Sequence, residues 1–262
     1  MKHISSYITA AGILCLGGCL SCTHNKVNPE NAFSLISYKY DTISEVTDKD
    51  SLIDQDALYW RSIGQGVLPE AMGEADTRQL RDTLEKLGFV EFAEKDVASP
   101  RQAPHLKLTD KSAKDVQAEN YSVNHLSINL FTPRIAVWKS SLVYYLSGAA
   151  HPRFSTRYIN YAIKEGKILS LSDIFKPGYE DTLRDMLKER VMENPEAFED
   201  AEVSIPDNFY IGVEGITFVY GLYEVAPYSA GEIEIPFYIY ELNEILKPGI
   251  EELTEGYTDP DI

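Results

Sequence analysis

The stretch "YSVNHLSINLFTPRIAVWKSSLVYYL", residues 121–146, holds two runs of strand-forming residues separated by Thr132-Pro133. Each run suits a strand, and the proline suits the turn between them. Tyr121–Phe131 and Ala136–Leu146 are therefore expected to be neighbouring strands. Phe154–Ile163 follows as another strand, then the turn Lys164-Glu165-Gly166-Lys167 and a short strand at Ile168-Leu169. Upstream, Phe33–Tyr40 also alternates. Downstream, Gly215–Leu222 and Glu232–Phe237 alternate on either side of "YEVAPYSAG", residues 223–231. That connection reads as a structural turn: Pro227 fixes φ, Gly231 permits the return, and Tyr223 and Tyr228 are expected to bury their rings.

Helices fall between these groups. Ile53, Ala57, Trp60 and Ile63 recur at helical spacing within Asp50–Gly64. Asp76–Gly88 carries Leu80, Leu84 and Leu87 on one side, with Asp76 as its cap. Leu171–Phe175 begins a helical turn that Lys176-Pro177-Gly178 breaks. Tyr179–Glu193 presents Leu183, Met186, Leu187 and Val191, and a last helix runs from about Ile239 to Leu246. Residues 95–117 are polar, contain Pro100 and Pro104, and read as a loop. The tail past Glu252 is expected to fray. The fold class is α+β, an antiparallel sheet with helices packed on one face.

The N-terminus bears on the compartment. Met1-Lys2-His3 is basic, and Ile4–Leu16 is mostly apolar but too short to span a bilayer. Leu16-Gly17-Gly18-Cys19 resembles a bacterial lipobox, in which the cysteine is acylated and the leader is cut before it. Cys22 is the alternative acceptor, and a plain secretory leader cut near Ser21 is the alternative processing. Residues 20–31 then tether lipid to fold. No acidic run directly follows Cys19. Compared with the Bacteroidetes lipoproteins this tether resembles, that favours a periplasm-facing position over the outer surface.

All three cysteines (Cys15, Cys19, Cys22) lie in this region, which excludes a disulfide scaffold, a cysteine-ligated zinc site or a thiol nucleophile in the folded body. The formal net charge of −17 argues against nucleic acid and anionic lipid surfaces and favours a cationic partner. The membrane is reached through the lipid alone, and no cofactor is expected.

Motifs in the second half carry a family resemblance. In order they are Tyr144-Tyr145-Leu146-Ser147-Gly148-Ala149-Ala150-His151-Pro152, Leu171–Gly178, Asn208-Phe209-Tyr210 and Tyr223–Gly231. Together they resemble the RsiV-like family, the domain of unknown function DUF3298, often preceded by DUF4163. Ala149 stands where that family usually has its second glycine. The expected division is a leader (1–18), a tether (19–31), a DUF4163-like region (32–135), a DUF3298 domain (136–250) and a flexible tail (251–262). In one branch of the family the domain resembles the lysozyme-binding sensor of an anti-sigma factor, and in another it accompanies a peptidoglycan deacetylase. This chain is read as the accessory module alone.

For chemistry, His151 is the foremost candidate base or metal ligand, and a hydrogen-bonded structural histidine is the competing reading. Neither H-E-x-x-H nor G-x-S-x-G occurs, and no metal site is expected. Glu224 and Glu232 flank the 223–231 turn and could form an acid–base pair. The resemblance and the charge together imply a non-enzymatic envelope lipoprotein that binds or senses lysozyme-type protein or peptidoglycan. The alternative is a cell-wall or polysaccharide hydrolase using His151 with Glu224 or Glu232. Tyr223, Pro227 and Tyr228 complete the candidate ligand-site or structural motif.

Overall fold

The computed structural model describes residues 33–47, 54, 56–88 and 106–255. Cys19, Cys22 and the tether lie outside them. The described chain is mostly β. Its strands are β1 (Phe33–Val46), β2 (Tyr59–Met72), β3 (Leu106–Leu108), β4 (Asn120–Phe131), β5 (Ile135–Tyr145), β6 (Arg153–Ala162), β7 (Lys167–Ile168), β8 (Phe209–Ile211), β9 (Gly215–Tyr220) and β10 (Ile233–Tyr238). The helices are α1 (Arg78–Gly88), α2 (Leu171–Ile174), α3 (Glu180–Glu193) and α4 (Ile239–Leu242). One sheet has seven strands in the order β3-β1-β2-β4-β5-β6-β7, and the other has three in the order β10-β9-β8. Two compact units are interleaved in sequence. The first takes the chain to Ser127 plus Ser140–Ser155, and the second takes Ile128–Lys139 plus Thr156 onward.

In the first unit, the expected helix over Asp50–Gly64 is corrected from Tyr59 onward, where the chain is a strand; residues 50–53 and 55 lie outside the described residues. Trp60, Ser62 and Gly64 alternate inward along β2 while Ile63 faces the other side, so the pattern has period two. The glycines show why a strand wins. A Cβ on Gly64 would lie 2.2 Å from the Tyr40 ring, and one on Gly66 would lie 2.3 Å from the Leu126 carbonyl oxygen. Glycine inside a strand marks such close approaches.

The wholly antiparallel sheet is corrected too. β2 and β4 run parallel, from Trp60↔Asn120 to Gly66↔Leu126, so the large sheet is mixed. Parallel neighbours need a long crossover, and the chain between them includes α1. Part of the expected 95–117 loop is also strand: Leu106–Leu108 pairs with Ser44–Val46.

β4 turns polar residues inward in its first half. Asn120, Ser122 and Asn124 are buried, while Val123 and His125 are exposed. Buried polar groups persist when they are hydrogen-bonded. Asn120 donates to the Ala57 carbonyl at 2.6 Å and accepts the Ser147 N–H at 3.0 Å. Trp60, itself fully buried, donates its indole N–H to Ser122 at 3.1 Å.

The second unit has an aromatic and aliphatic core. Phe209, Ile211, Ile216, Phe218, Ile233, Ile235 and Phe237 point inward from β8–β10 and join Leu183, Leu187 and Val191 of α3 in one cluster. Two asparagines bind backbone in place of a strand ladder. Asn208 accepts the Tyr158 N–H at 3.0 Å and donates to the Thr156 carbonyl at 2.7 Å. Asn160 of β6 reciprocates, donating to the Phe209 carbonyl at 2.8 Å and accepting the Ile211 N–H at 2.9 Å. The predicted last helix stops as α4 at Leu242, and Leu246 instead bridges Phe175. Residues 251–254 form a 3₁₀ turn, Thr132 donates its hydroxyl to the Leu253 carbonyl, and Arg134 pairs with Glu252 at 2.8 Å and Glu255 at 3.2 Å.

Candidate functional site

The 223–231 connection is built by its small residues. Val225 and Ala226 are buried, and the Val225 carbonyl accepts the Phe198 N–H at 2.9 Å. Pro227, at φ −67°, precedes a 3₁₀ turn over Tyr228–Ala230, and Gly231 leaves it at φ 78°. Tyr223 departs from expectation. It sits at φ 67°, in the left-handed region that favours glycine, and its side chain is half exposed rather than buried. Its ring packs on Tyr228 with centroids 6.0 Å apart.

The carboxylates beside this turn have backbone partners. Glu224 accepts the Gly221 N–H at 2.9 Å, closing its own turn. Glu232 accepts the Thr156 N–H at 2.7 Å, gripping β6. His151 places Nδ1 3.0 Å from the Pro152 carbonyl. It belongs to the first unit, whereas Glu224 and Glu232 belong to the second. At the neighbouring turn the left-handed residue is Gly148, at φ 84°, and Ala149 has no positive φ, so alanine fits there. Among the described residues, no three His, Cys, Asp or Glu side chains gather as a metal site would require.

The outer face of the three-stranded sheet is different in character. β10 alternates strictly, with Ile233, Ile235 and Phe237 inward and Glu234, Pro236 and Tyr238 outward. Tyr210, Thr217 and Pro236 lie in one row across the three strands. Tyr210 donates its hydroxyl to Glu234 at 3.1 Å, and Tyr158 packs on its ring with centroids 4.4 Å apart. Burial first, and then the charge of Glu234, pushes the Tyr158 hydroxyl well above the usual phenol range.

One row further along, Tyr238 lies opposite Gly215. A Cβ on Gly215 would come within 1.8 Å of the Phe237 carbonyl oxygen, so only glycine fits. An open groove of about 530 Å³ follows, lined by Arg190, Val213, Glu214, Thr217, Pro236 and Tyr238 among others. Arg190 stacks on Phe237 at 5.3 Å and pairs with Glu241, which also accepts the Tyr238 N–H at 2.8 Å. Tyr238 and Tyr240 stand beside the groove, 49% and 69% exposed, their rings stacked at 5.4 Å and 10°. A second cleft of about 450 Å³ is lined by Tyr158, Tyr179, Asp207, Ser170 and Ser172.

Residues 172–239 match the family model DUF3298, described as a protein of unknown function. The DUF3298 match begins inside α2 and spans α3, all three strands of the small sheet and the 223–231 turn. Two solved structures share the fold. One is a member of the DUF3298 family from Bacteroides fragilis, 18% identical, with a TM-score of 0.60 over 87% of this chain and 99% of that one. The other is a DUF3298 family protein from Pseudomonas aeruginosa PAO1, 17% identical, with a TM-score of 0.54 over 82% and 95%. No curated protein matches the chain.

Several motif residues singled out in the sequence hold this chain's own fold: Asn208 bridges strands, Asp173 caps α2, and Glu224 and Val225 pin the turn. Tyr238 and Tyr240, which sequence reasoning passed over, hold the exposed aromatic surface. The signal was available in "IEIPFYIY", residues 233–240, whose apolar set turns inward and leaves its tyrosines at 238 and 240 outside.

Proposed function

We propose that this protein is a non-enzymatic binding or sensing module of the bacterial cell envelope. It is held to the membrane by lipid on Cys19, with Cys22 as the alternative, and faces the periplasm. Its ligand is peptidoglycan or a lysozyme-type protein. The observation that carries this reading is the pair of stacked, exposed tyrosines beside an open groove at the three-stranded sheet. Large exposed aromatics are characteristic of contact surfaces, since they supply contact area with few rotatable bonds. Glu224 and Glu232, the candidate acid–base pair, each accept a backbone N–H, from Gly221 and Thr156.

The test is co-sedimentation of the detergent-solubilised full-length protein with insoluble peptidoglycan, alongside capture on immobilised hen-type lysozyme. Saturable binding to either is the expected result. Absence of binding to both, from protein that melts cooperatively, would refute the reading. For the anchor, incorporation of an alkyne-labelled fatty acid should be lost in Cys19→Ala and kept in Cys22→Ala.

A further inference from the structure

The outer face of the three-stranded sheet has a chemistry specific enough to narrow the ligand. Toward the start of α4 it presents flat rings: the half-buried Tyr210, then Pro236, then Tyr238 stacked with Tyr240, while Tyr158, packed on Tyr210, is buried in the core. Hydrogen-bonding groups lie beside them, Glu214 and Arg190 in the groove wall, while Thr217 is buried in the row of Tyr210 and Pro236. Several carboxylates nearby are already engaged, Glu232 by a backbone amide, Glu234 by Tyr210 and Glu241 by Arg190. Hydrogen bonds from neutral donors leave Glu232 and Glu234 charged, and with Glu214 in the groove wall and Arg190 paired to Glu241 the face repels anions, while the stacked rings select a flat ligand. A face of this kind complements a ligand that is flat and apolar on one side and rich in hydroxyls at its edges. The groove volume falls within the range of small-ligand sites.

We propose that Tyr238, Tyr240 and the Gly212–Gly215 groove form a binding site for pyranose rings of an uncharged stretch of cell-wall glycan. This rests on the envelope-binding reading above and adds the site and the ligand class. One sugar ring lies on the free face of Tyr240. Its neighbour enters the groove, where Glu214 accepts hydroxyl protons and Arg190 donates to ring or acetamido oxygens. The row through Pro236 and Tyr210 extends the track for further rings.

The experiment is calorimetric titration of chitotetraose, a neutral β-1,4-linked N-acetylglucosamine oligomer, into the full-length protein in detergent. Wild type should bind saturably, with an affinity that changes less than about twofold between 50 and 500 mM NaCl, because exposed charge attraction is screened over that range. Tyr240→Ala and Tyr238→Ala should each weaken binding by up to about tenfold, the scale of one lost aromatic stack. Tyr240→Phe, which keeps the ring, should restore it, and all three variants should melt as wild type does. Wild-type affinity in both alanine variants would overturn the proposal. So would capture of lysozyme, abolished by salt, with no glycan bound; that result would leave the binding-module reading standing. Binding of neither glycan, peptidoglycan nor lysozyme would overturn both.

Discussion

Asn208 and Asn160 show how single side chains substitute for a strand ladder. Each amide donates and accepts once against backbone, so truncating either leaves a buried N–H and a buried carbonyl without partners. Such losses cost roughly 1–3 kcal/mol per orphaned group. Asn208→Ala should therefore lower unfolding free energy by about 3 kcal/mol, read from urea titration, and Asn208→Asp should not restore it because the carboxylate has no donor. Tyr223 makes the opposite case. A non-glycine residue at φ 67° costs about 1 kcal/mol or more, and the half-exposed Tyr223 ring returns little burial. Tyr223→Gly should leave the melting temperature unchanged or raise it, whereas Tyr223→Val should lower it. Neither role was legible in the sequence. Asn208 stood out as part of a motif, but its partners lie some fifty positions away, and nothing in "YEVAPYSAG" marks its first tyrosine as left-handed.

Among the elements, α2 is a single turn that depends on its cap. Asp173 reaches back to accept the Ser170 N–H at 2.9 Å and hydroxyl at 2.7 Å while pairing with Lys167. The hydrogen bond from Lys167 is the main cause that holds its carboxyl at about 2, helped by the Ser170 contacts and opposed by partial burial. An unfolded aspartate titrates near 3.9. Because the folded value is depressed, the contribution is present above about pH 4 and is lost as pH falls toward 2. The stability difference between wild type and Asp173→Asn should hold from pH 7 to about 4.5 and shrink toward pH 2, measured by urea titration across that range. A constant gap would show that shape rather than charge matters at this position. The sequence read this turn, α1, α3 and the strand pair over 121–146 directly, because each carries its own period and its own stop signals. It misread β2 as a helix because Trp60 and Ile63 also fit helical spacing. Parallel pairing with β4 was not legible at all, since a strand's partner is not written in its own alternation. The inward row Asn120, Ser122 and Asn124 hid the buried face further, being polar where apolar residues mark a core.

For the whole molecule, a net charge of −17 is a source of self-repulsion in the compact state. Salt screens that repulsion, with a Debye length of about 10 Å at 0.1 M. The melting temperature should therefore rise by several degrees between about 10 and 200 mM NaCl at pH 7, and a fall would mean that exposed pairs such as Arg61–Asp41 outweigh repulsion. At this scale the sequence disclosed composition and order of elements but not the interleaving of the two units, because β4 and β5 each give one end to either unit. The candidate site followed the same division. Residue type alone points to His151, Glu224 and Glu232, while the exposed aromatic surface depends on which side of β10 faces out. The central claim is that fold and binding rest on different residues of the second unit. The most direct measurement compares Glu232→Ala, which removes the acceptor of the Thr156 N–H, with Tyr238→Ala, taking melting temperature and peptidoglycan binding together. Glu232→Ala is expected to melt several degrees lower and still bind when folded, while Tyr238→Ala melts as wild type does and binds at least about fivefold more weakly. Loss of binding in a folded Glu232→Ala, with Tyr238→Ala binding normally, would contradict it.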